Sequence, residues 1–278
     1  MRIAYLGPAG TFTEDALRGA LVGGDEYEAL RTPTIREAIL AVEQGEADRA
    51  LVPFENSIEG SVRSTLDTLA FDAEGVAIVG EHDFAVRAML IARRDTELER
   101  IEMVISHPQP LAQCARFLRE QLPGAARQSA ESTAAAVKLV SESEAPWAAI
   151  GAQAAAELYG CTTLREGIED EANNVTRFVW IAPTGTEPSE GTAWKTSLVF
   201  SELGEDHPGA LVNALREFSS REVNLTRIES RPLRLGLGRY MFFCDLEGAL
   251  SESSVVEAVE ALRGKAESVR ILGSYPTA

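Results

Sequence analysis

The chain has 278 residues and a mass of 30.0 kDa, which is enough for one large domain or two smaller ones with buried cores. Its 45% apolar and 25% charged residues argue against a disordered, collagen-like or membrane-spanning chain. The formal net charge of −17 disfavours nucleic acid as a partner, because phosphate binding requires a basic surface. Cys114, Cys161 and Cys244 form no CxxC pair, so we expect reduced thiols, no zinc site and a cytoplasmic location.

The segment before residue 183 alternates short apolar runs with helical patterns. Because strands separated by helices usually pair in parallel, this alternation predicts an α/β architecture with a mostly parallel sheet. A capping box of Thr34 and Glu37 marks one helix start, and Pro108 in a first turn marks another. The predicted strands are 2–6, 49–53, 76–79, 85–92, 102–106, 147–150 and 175–181, and the predicted helices are 13–21, 34–44, 61–69, 108–121, 132–141 and 152–159.

Residues 182–192 are rich in Pro, Gly and small polar residues and lack apolar periodicity, which predicts a linker. The segment that follows has the order strand, helix, strand, strand, helix, strand. This βαββαβ order is that of the ferredoxin-like unit. Its predicted elements are strand 195–201, helix 208–220, strands 224–229 and 240–246, helix 253–262 and strand 269–272.

Polar residues cluster at four points where predicted strands end or begin, at 7–13, 53–61, 106–109 and 173–178. Ligands of open α/β folds bind beyond the carboxyl ends of strands, where helix N-termini point at them, so a shared site is one interpretation. Ordinary turns and helix caps are the other interpretation of each segment. The first segment lacks the GxGxxG spacing of dinucleotide sites. The three histidines lie on separate elements, which argues against a catalytic triad or a His-rich metal site.

Taken together, these segments resemble the prephenate dehydratase family with a C-terminal ACT domain. The resemblance covers essentially the whole chain and depends on the order of six motifs: GPAGTF at 7–12, PFENSIEG at 53–60, SH at 106–107, NVTRF at 174–178, GALV at 209–212 and ESRP at 229–232. It implies a catalytic domain over 1–182, folded as two lobes like a type II periplasmic binding protein, with crossings near 75–80 and 165–172. A linker over 183–193 and a ferredoxin-like ACT domain over 194–278 would follow.

The resemblance also implies an activity, the decarboxylating dehydration of prephenate to phenylpyruvate, with no metal ion or other cofactor. Thr176 would donate a hydrogen bond to the leaving hydroxyl group, Arg177 and helix N-termini would hold the two substrate carboxylates, and Asn56 and Gln113 would orient the ring. The implied catalytic residues are Thr176, Asn56, Glu55, Ser106, Gln113 and Arg177, and the implied substrate-binding residues are Thr11, Ser57, Asn174 and Phe178.

The ACT resemblance implies feedback control by L-phenylalanine, bound between two ACT domains of a homodimer or of a tetramer built from dimers. Two alternatives stay open: an arogenate dehydratase, which the motifs do not distinguish, and a non-catalytic amino-acid sensor, which would not need Thr176 and its neighbours. No nucleic-acid or membrane partner is expected. The implied effector-binding residues are Gly209, Ala210, Leu211, Val212, Glu229, Ser230, Arg231 and Pro232.

Overall fold

A computed structural model describes residues 1–21, 26–204 and 208–278. Besides a short 3₁₀ helix at Leu98–Arg100, the elements in chain order are β1 (Arg2–Leu6), α1 (Phe12–Ala20), β2 (Glu28–Thr32), α2 (Ile35–Glu43), β3 (Arg49–Asn56), β4 (Gly60–Ser61), α3 (Arg63–Phe71), β5 (Val76–Ala85), β6 (Met89–Ala92), β7 (Met103–Ser106), α4 (Pro108–Gln113), α5 (Ala115–Gln121), β8 (Ala126–Ser129), α6 (Thr133–Glu142), β9 (Trp147–Gly151), α7 (Gln153–Leu158), β10 (Thr162–Glu166), β11 (Val175–Pro183), β12 (Trp194–Ser201), α8 (Ala210–Ser219), β13 (Leu225–Pro232), β14 (Tyr240–Glu247), α9 (Ser253–Arg263) and β15 (Ser268–Pro276).

Within the described ranges, the strands form three sheets. The first has the order β2-β1-β3-β11-β5, with β4 beside β3, and β1 pairs with β2 in parallel. The second has the order β10-β6-β9-β7-β8, in which β7 pairs in parallel with β8 and β9, whereas β6 pairs antiparallel with β9 and β10. The prediction of a mostly parallel sheet is wrong for the second sheet. Since β6 follows β5 without an intervening helix, no βαβ crossover sets its direction.

Three strands that the sequence did not predict lie at sheet edges. They are β2, β8 and β10, and most of their residues are exposed or only partly buried. The predicted helix 108–121 is divided at Cys114 into α4 and α5. The predicted strand 85–92 is shorter than expected, because β5 continues to Ala85 and β6 begins only at Met89.

The chain changes from the first sheet to the second between β5 and β6, and it returns between β10 and β11. The first change follows Ala85 and therefore comes later in the chain than the crossing expected near 75–80, where the long strand β5 is still part of the first sheet. The second change lies between Glu166 and Val175. None of the helices in the described ranges is both long and apolar enough to cross a membrane.

Apolar residues cover both faces of the second sheet. Neighbouring residues of one strand belong to different cores, because successive side chains of a strand point to opposite faces. Leu90 and Ile150 pack with Leu118 of α5, whereas Ile91 and Ala149 pack in the core that includes residues of α6 and α7. The helices that follow β7, β8 and β9 are therefore held against a sheet that is buried on both sides.

The C-terminal sheet is antiparallel and has the order β13-β14-β12-β15. Together with α8 and α9 it forms the predicted βαββαβ unit, so the ferredoxin-like prediction is confirmed. Residues of β12 and β14, such as Phe200 and Leu246, pack with Phe218 of α8 and Leu262 of α9 in one buried core.

The described residues form two compact units. The first comprises residues 1–38, 51–60 and 83–178, and the second comprises residues 39–50, 61–82 and 179–278. Strands β3, β5 and β11 contribute residues to both. The second unit therefore contains the C-terminal sheet together with α3.

We expect Gly273→Ala to destabilise the second unit. A methyl group on Gly273 would overlap the backbone carbonyl of Ile78, which cannot move as a flexible side chain can. Overpacking of this kind costs about 1–3 kcal/mol. Chemical denaturation at a fixed protein concentration should show that loss of unfolding free energy. Gly124→Ala is the matched control, because nothing lies within 4 Å of its added methyl group. Equal stabilities of the two variants would contradict the prediction.

Candidate active site

The side-chain amide of Asn56 joins the end of β3 to the start of β11. Its Oδ1 accepts hydrogen bonds from the backbone N–H groups of Ile58 and Glu59, both at 3.0 Å. Its Nδ2 donates to Asn174 Oδ1 at 2.7 Å and to Thr176 Oγ1 at 2.9 Å. Because backbone donors occupy the oxygen, the amide nitrogen must face Thr176. The Thr176 oxygen thus accepts a hydrogen bond, and its own hydrogen is available for another acceptor.

Ser57 attaches the same two segments through the backbone. Its hydroxyl group donates to the Asn173 carbonyl at 2.7 Å and accepts from the Val175 N–H at 3.0 Å. The Ser57 N–H donates to the Val175 carbonyl at 2.9 Å. Ser57 therefore supports the geometry of the Asn56–Thr176 pair, and it does not itself line the neighbouring cavity.

Thr176 and Asn56 line a cavity of about 620 Å³ in the first unit. This volume suits a small organic ligand. The lining comes from the ends of β1 and β3, from the segments that follow β1, β2, β5, β7 and β8, and from the start of β11. Six of the residues that the sequence indicated lie together in this lining: Thr11, Asn56, Gln113, Asn174, Thr176 and Phe178.

Three helices begin at the cavity. Their backbone N–H groups and positive dipole ends favour an anionic ligand. His107 caps α4 and Ser132 caps α6, the latter through a hydrogen bond of 3.0 Å from the Ala135 N–H. No lysine or arginine occurs among the described residues of the lining. The residues of the helix starts in the lining are Thr11, Phe12 and Thr13 of α1, His107, Gln109 and Pro110 of α4, and Ser132, Thr133 and Ala135 of α6.

A buried carboxylate holds the loop between β1 and α1. Glu14 accepts hydrogen bonds from the Gly10 N–H at 2.8 Å, from the Tyr5 hydroxyl at 3.1 Å and from Arg18 at 2.7 Å. Gly10 has a φ of +81°, and an added Cβ would lie 3.0 Å from Ala155 Cα, so this turn requires glycine. Burial raises the pKa of Glu14, but the bonds from Gly10 and Arg18 outweigh burial and lower it.

Arg177 and Glu55 lie outside the cavity lining, contrary to the placement that the resemblance implied. They pair with each other at 3.3 Å, and the Arg177 guanidinium lies 4.8 Å from the centre of the Phe54 ring. The reason is strand alternation: Thr176 and Phe178 line the cavity, so the side chain between them points elsewhere. The same alternation separates Glu55 from Asn56.

Ser106 also lies outside the lining. Its side chain is fully buried, and its hydroxyl group donates to the Ile150 carbonyl at 2.7 Å between two strands of the second sheet. The neighbouring segment still reaches the cavity through His107 and Gln113. Gln113 donates to Glu59 at 3.2 Å, so its amide lies close to the loop that holds Asn56.

The eight implied effector residues lie in the second unit. Gly209 precedes α8 with a φ of +90°, and Ala210, Leu211 and Val212 form the first turn. The other four residues end strand β13. The side chain of Arg231 binds Asp67 of α3 through hydrogen bonds of 2.9 to 3.1 Å.

Sequence reasoning missed the contribution of Glu131, Ser132 and Thr133 to the cavity. The strand before them, β8, is exposed at every position and gives no apolar signal. The serine cap before a helical pattern was the available sign of a helix start. Among the described residues, no group of three or more His, Cys, Asp or Glu side chains could hold a metal ion.

The fold and the cavity define a class of protein: an α/β domain with a small-molecule site, followed by a ferredoxin-like unit. The chain belongs to the prephenate dehydratase family, whose model matches residues 3–186, and the model of the ACT domain matches residues 202–264.

Individual relatives agree with this assignment. The prephenate dehydratase of Mycobacterium sp. (strain JLS) is 44% identical over 285 residues, which cover 99% of this chain and 89% of the relative. The crystal structure of prephenate dehydratase from Arthrobacter aurescens in complex with L-Phe has a TM-score of 0.90 and 40% identity, over 99% of this chain and 90% of that one. The structure of GqqA, of a novel type of quorum quenching acylases, has a TM-score of 0.88 and 31% identity, over 100% and 98%.

We expect Glu14→Gln to lower the free energy of unfolding by about 1.5–3 kcal/mol at pH 7, because hydrogen bonds to a charged group are lost. The pKa of Glu14 lies below its ordinary value of 4.5 in the folded protein. Its stabilisation is therefore complete above that value and is lost as the pH falls through the folded-state pKa. The difference between wild type and variant, measured by denaturation, should shrink below about pH 4.5.

Glu157→Gln is the control for this change. Glu157 binds the same Arg18, but its side chain is 57% exposed, so its loss should change stability little. A Glu14→Gln variant as stable as Glu157→Gln at pH 7 would contradict the role given to the buried carboxylate.

Proposed function

We propose that this chain converts prephenate to phenylpyruvate, carbon dioxide and water, and that L-phenylalanine inhibits this reaction through the C-terminal ACT domain. The observation that carries the proposal is the Thr176 hydroxyl group, which Asn56 orients at a cavity of about 620 Å³. Membership of the prephenate dehydratase family and the L-Phe complex of the Arthrobacter aurescens relative support it.

The reaction needs assistance at the leaving hydroxyl group. Prephenate loses its ring carboxylate as CO₂ while the ring hydroxyl departs, and the electron pair of the broken C–C bond enters the new aromatic ring. The dianion takes up one proton, which leaves in the water. Since Thr176 Oγ1 already accepts from Asn56, its hydrogen can be donated to the departing oxygen. Threonine is a weak acid, so it keeps its proton and stabilises the leaving group by hydrogen bonding, and the proton that converts the departing hydroxide to water comes from solvent.

The two carboxylates of prephenate need positive partners. We assign this role to the starts of α1, α4 and α6, since their N–H groups reach the cavity. Arg177, which the resemblance had suggested for the same task, is engaged with Glu55 away from the lining. Gln113 and Asn174 would orient the ring and the side chain of the substrate, and Phe178 would provide an apolar wall.

The segments at 209–212 and 229–232 would form the effector site. The start of α8 offers backbone N–H groups for the carboxylate of L-phenylalanine. We propose that the effector binds between the ACT domains of two protomers, as a dimer or a tetramer of dimers, and prefers a state with a less active site. The proposed domains are 1–182, in two lobes, and 194–278, joined by the linker 183–193.

We also place the protein in the cytoplasm. Its three cysteines are free, and burial raises the pKa of the Cys114 and Cys244 thiols to about 12. Such thiols remain protonated and unreactive at neutral pH.

Three other functions are distinguished by further measurements on the same protein. Arogenate carries an ammonium group where prephenate has a keto group, so the kcat/KM values for both substrates decide between them. The similarity to GqqA adds an acylase assay as a third arm. No turnover in any arm would favour a non-catalytic amino-acid sensor.

We expect Thr176→Val to lower kcat about 10²-fold or more, because the shape is kept and the donor is lost. Thr176→Ser should stay within about tenfold of wild type, since it keeps the hydroxyl group. Asn56→Asp should resemble Thr176→Val, because a carboxylate cannot donate to Thr176 Oγ1. Phenylpyruvate formation at neutral pH is measured against an enzyme-free blank, because prephenate aromatises unaided in acid.

The control is Thr162→Val, which removes a hydroxyl group from an exposed position of β10, outside the cavity lining. It should leave kcat unchanged. A Thr176→Val variant with the kcat of the Thr162→Val variant would refute the catalytic role of Thr176.

A further inference from the structure

Arginines of the C-terminal sheet bind α3 at its middle and its end. Arg231 of β13 donates to both carboxylate oxygens of Asp67, with distances of 2.9 to 3.1 Å. Arg234, from the loop after β13, donates to Asp67 Oδ2 at 2.8 Å. Its guanidinium also lies 4.3 Å from the centre of the Phe71 ring. Arg270 of β15 donates to the carbonyls of Leu69 and Ala73 at the C-terminal end of α3. A cation is favourable there, because the C-terminal end of a helix carries partial negative charge.

Asp67 is well enclosed by these contacts. Its side chain is 22% exposed, and the Arg231 side chain is 17% exposed. Burial raises the pKa of Asp67, but Arg231 and Arg234 outweigh that effect and lower it. A bidentate contact between an arginine and a carboxylate fixes both distance and orientation, unlike a surface ion pair. The helix therefore follows β13 if the strand moves.

The register of β13 explains why Arg231 points at α3. Ile228 and Ser230 lie opposite Cys244 and Phe242, which pack in the core formed with α8 and α9. Arg231 directly follows Ser230 in the strand and so belongs to the other face of the sheet. The four proposed effector residues of β13 are therefore divided between the two faces, and one of them, Arg231, is the residue that binds Asp67.

Helix α3 is also linked to the site through the chain. Asn56 ends β3, the short strand β4 follows at Gly60–Ser61, and α3 begins at Arg63. Arg227 of β13 donates to the Ser61 hydroxyl at 2.6 Å, so the start of this connection is also held by the C-terminal sheet. A displacement of α3 would act on the loop whose N–H groups orient the Asn56 amide.

We propose that Asp67 couples effector binding to catalysis, by transmitting the position of β13 through Arg231 to α3 and the Asn56 loop. This inference rests on the proposed function. Asp67 is a positioning residue: it lies outside the cavity lining and is not one of the proposed effector residues, so its removal should weaken inhibition without abolishing turnover or effector binding. Typical couplings between two sites change affinity by about 5- to 150-fold.

The test compares wild type with Asp67→Asn, Asp67→Glu and Arg234→Gln. For each, prephenate turnover is measured without and with saturating L-phenylalanine, and L-phenylalanine binding is measured separately by calorimetry. Glu260→Gln is the matched control. It breaks an ion pair with Arg263 on α9 of the same C-terminal unit, at a side chain that is 69% exposed.

We expect Asp67→Asn to keep turnover within about threefold of wild type and to bind L-phenylalanine, while its inhibition ratio falls at least fivefold. Asp67→Glu should restore part of the inhibition, because it keeps the charge. Arg234→Gln should give an intermediate loss, since Arg231 remains, and it serves as the test if Asp67→Asn does not fold. Glu260→Gln should be inhibited like wild type.

Three results would overturn the inference. If L-phenylalanine inhibits Asp67→Asn as strongly as it inhibits Glu260→Gln, Asp67 has no role in coupling. Asp67→Asn could lose L-phenylalanine binding itself, which would place Asp67 at the effector site. Wild type could turn over prephenate without responding to L-phenylalanine, which would overturn the regulation and this inference together. Absence of prephenate turnover in wild type would instead refute the proposed function and every inference built on it.

Discussion

The site depends on one amide group. Asn56 and Thr176 are separated by 120 positions in the chain, yet they share a hydrogen bond of 2.9 Å. Two backbone N–H groups occupy the Asn56 oxygen, and this determines which way its nitrogen points. The donor direction at Thr176 therefore follows from the conformation of a loop, and catalysis becomes sensitive to anything that moves that loop. This sensitivity makes the connection from the Asn56 loop to α3 relevant to regulation.

The charge of the protein sets a second constraint. A net charge of −17 repels a dianion, although salt screens that repulsion beyond about 8 Å. Binding therefore depends on donors at short range. Helix starts suit this task because their N–H groups are partial charges that carry no counter-ion and need no carboxylate partner. An arginine in this acidic chain is easily engaged elsewhere, as the Arg177–Glu55 pair shows.

Much of the fold could be predicted from the sequence, because buried strands such as β1 and β9 have apolar runs and capped helices have clear starts. Three of the missed strands, β2, β8 and β10, are edge strands with mostly polar residues that are exposed or only partly buried, and nothing in their composition separates them from loops. From the sequence motifs, Asn56 and Thr176 were predicted to lie at one site, and both line the same cavity. Their neighbours Glu55 and Arg177 were misplaced, because a motif names consecutive residues whereas a strand directs them alternately to opposite faces.

The same alternation gives β13 two roles. Its exposed residues Ile228 and Ser230 lie on the face of the sheet that carries α8, whereas Arg227 binds Ser61 of β4 and Arg231 binds Asp67 of α3. When such a strand moves, the side chains on both of its faces move together, because they share one backbone. Ionic contacts between rigid elements respond to such shifts more sharply than apolar packing does, since they depend on both distance and direction. A helix held at Asp67 and at its C-terminal carbonyls is therefore a better transmitter of small movements than a helix packed by apolar contacts alone.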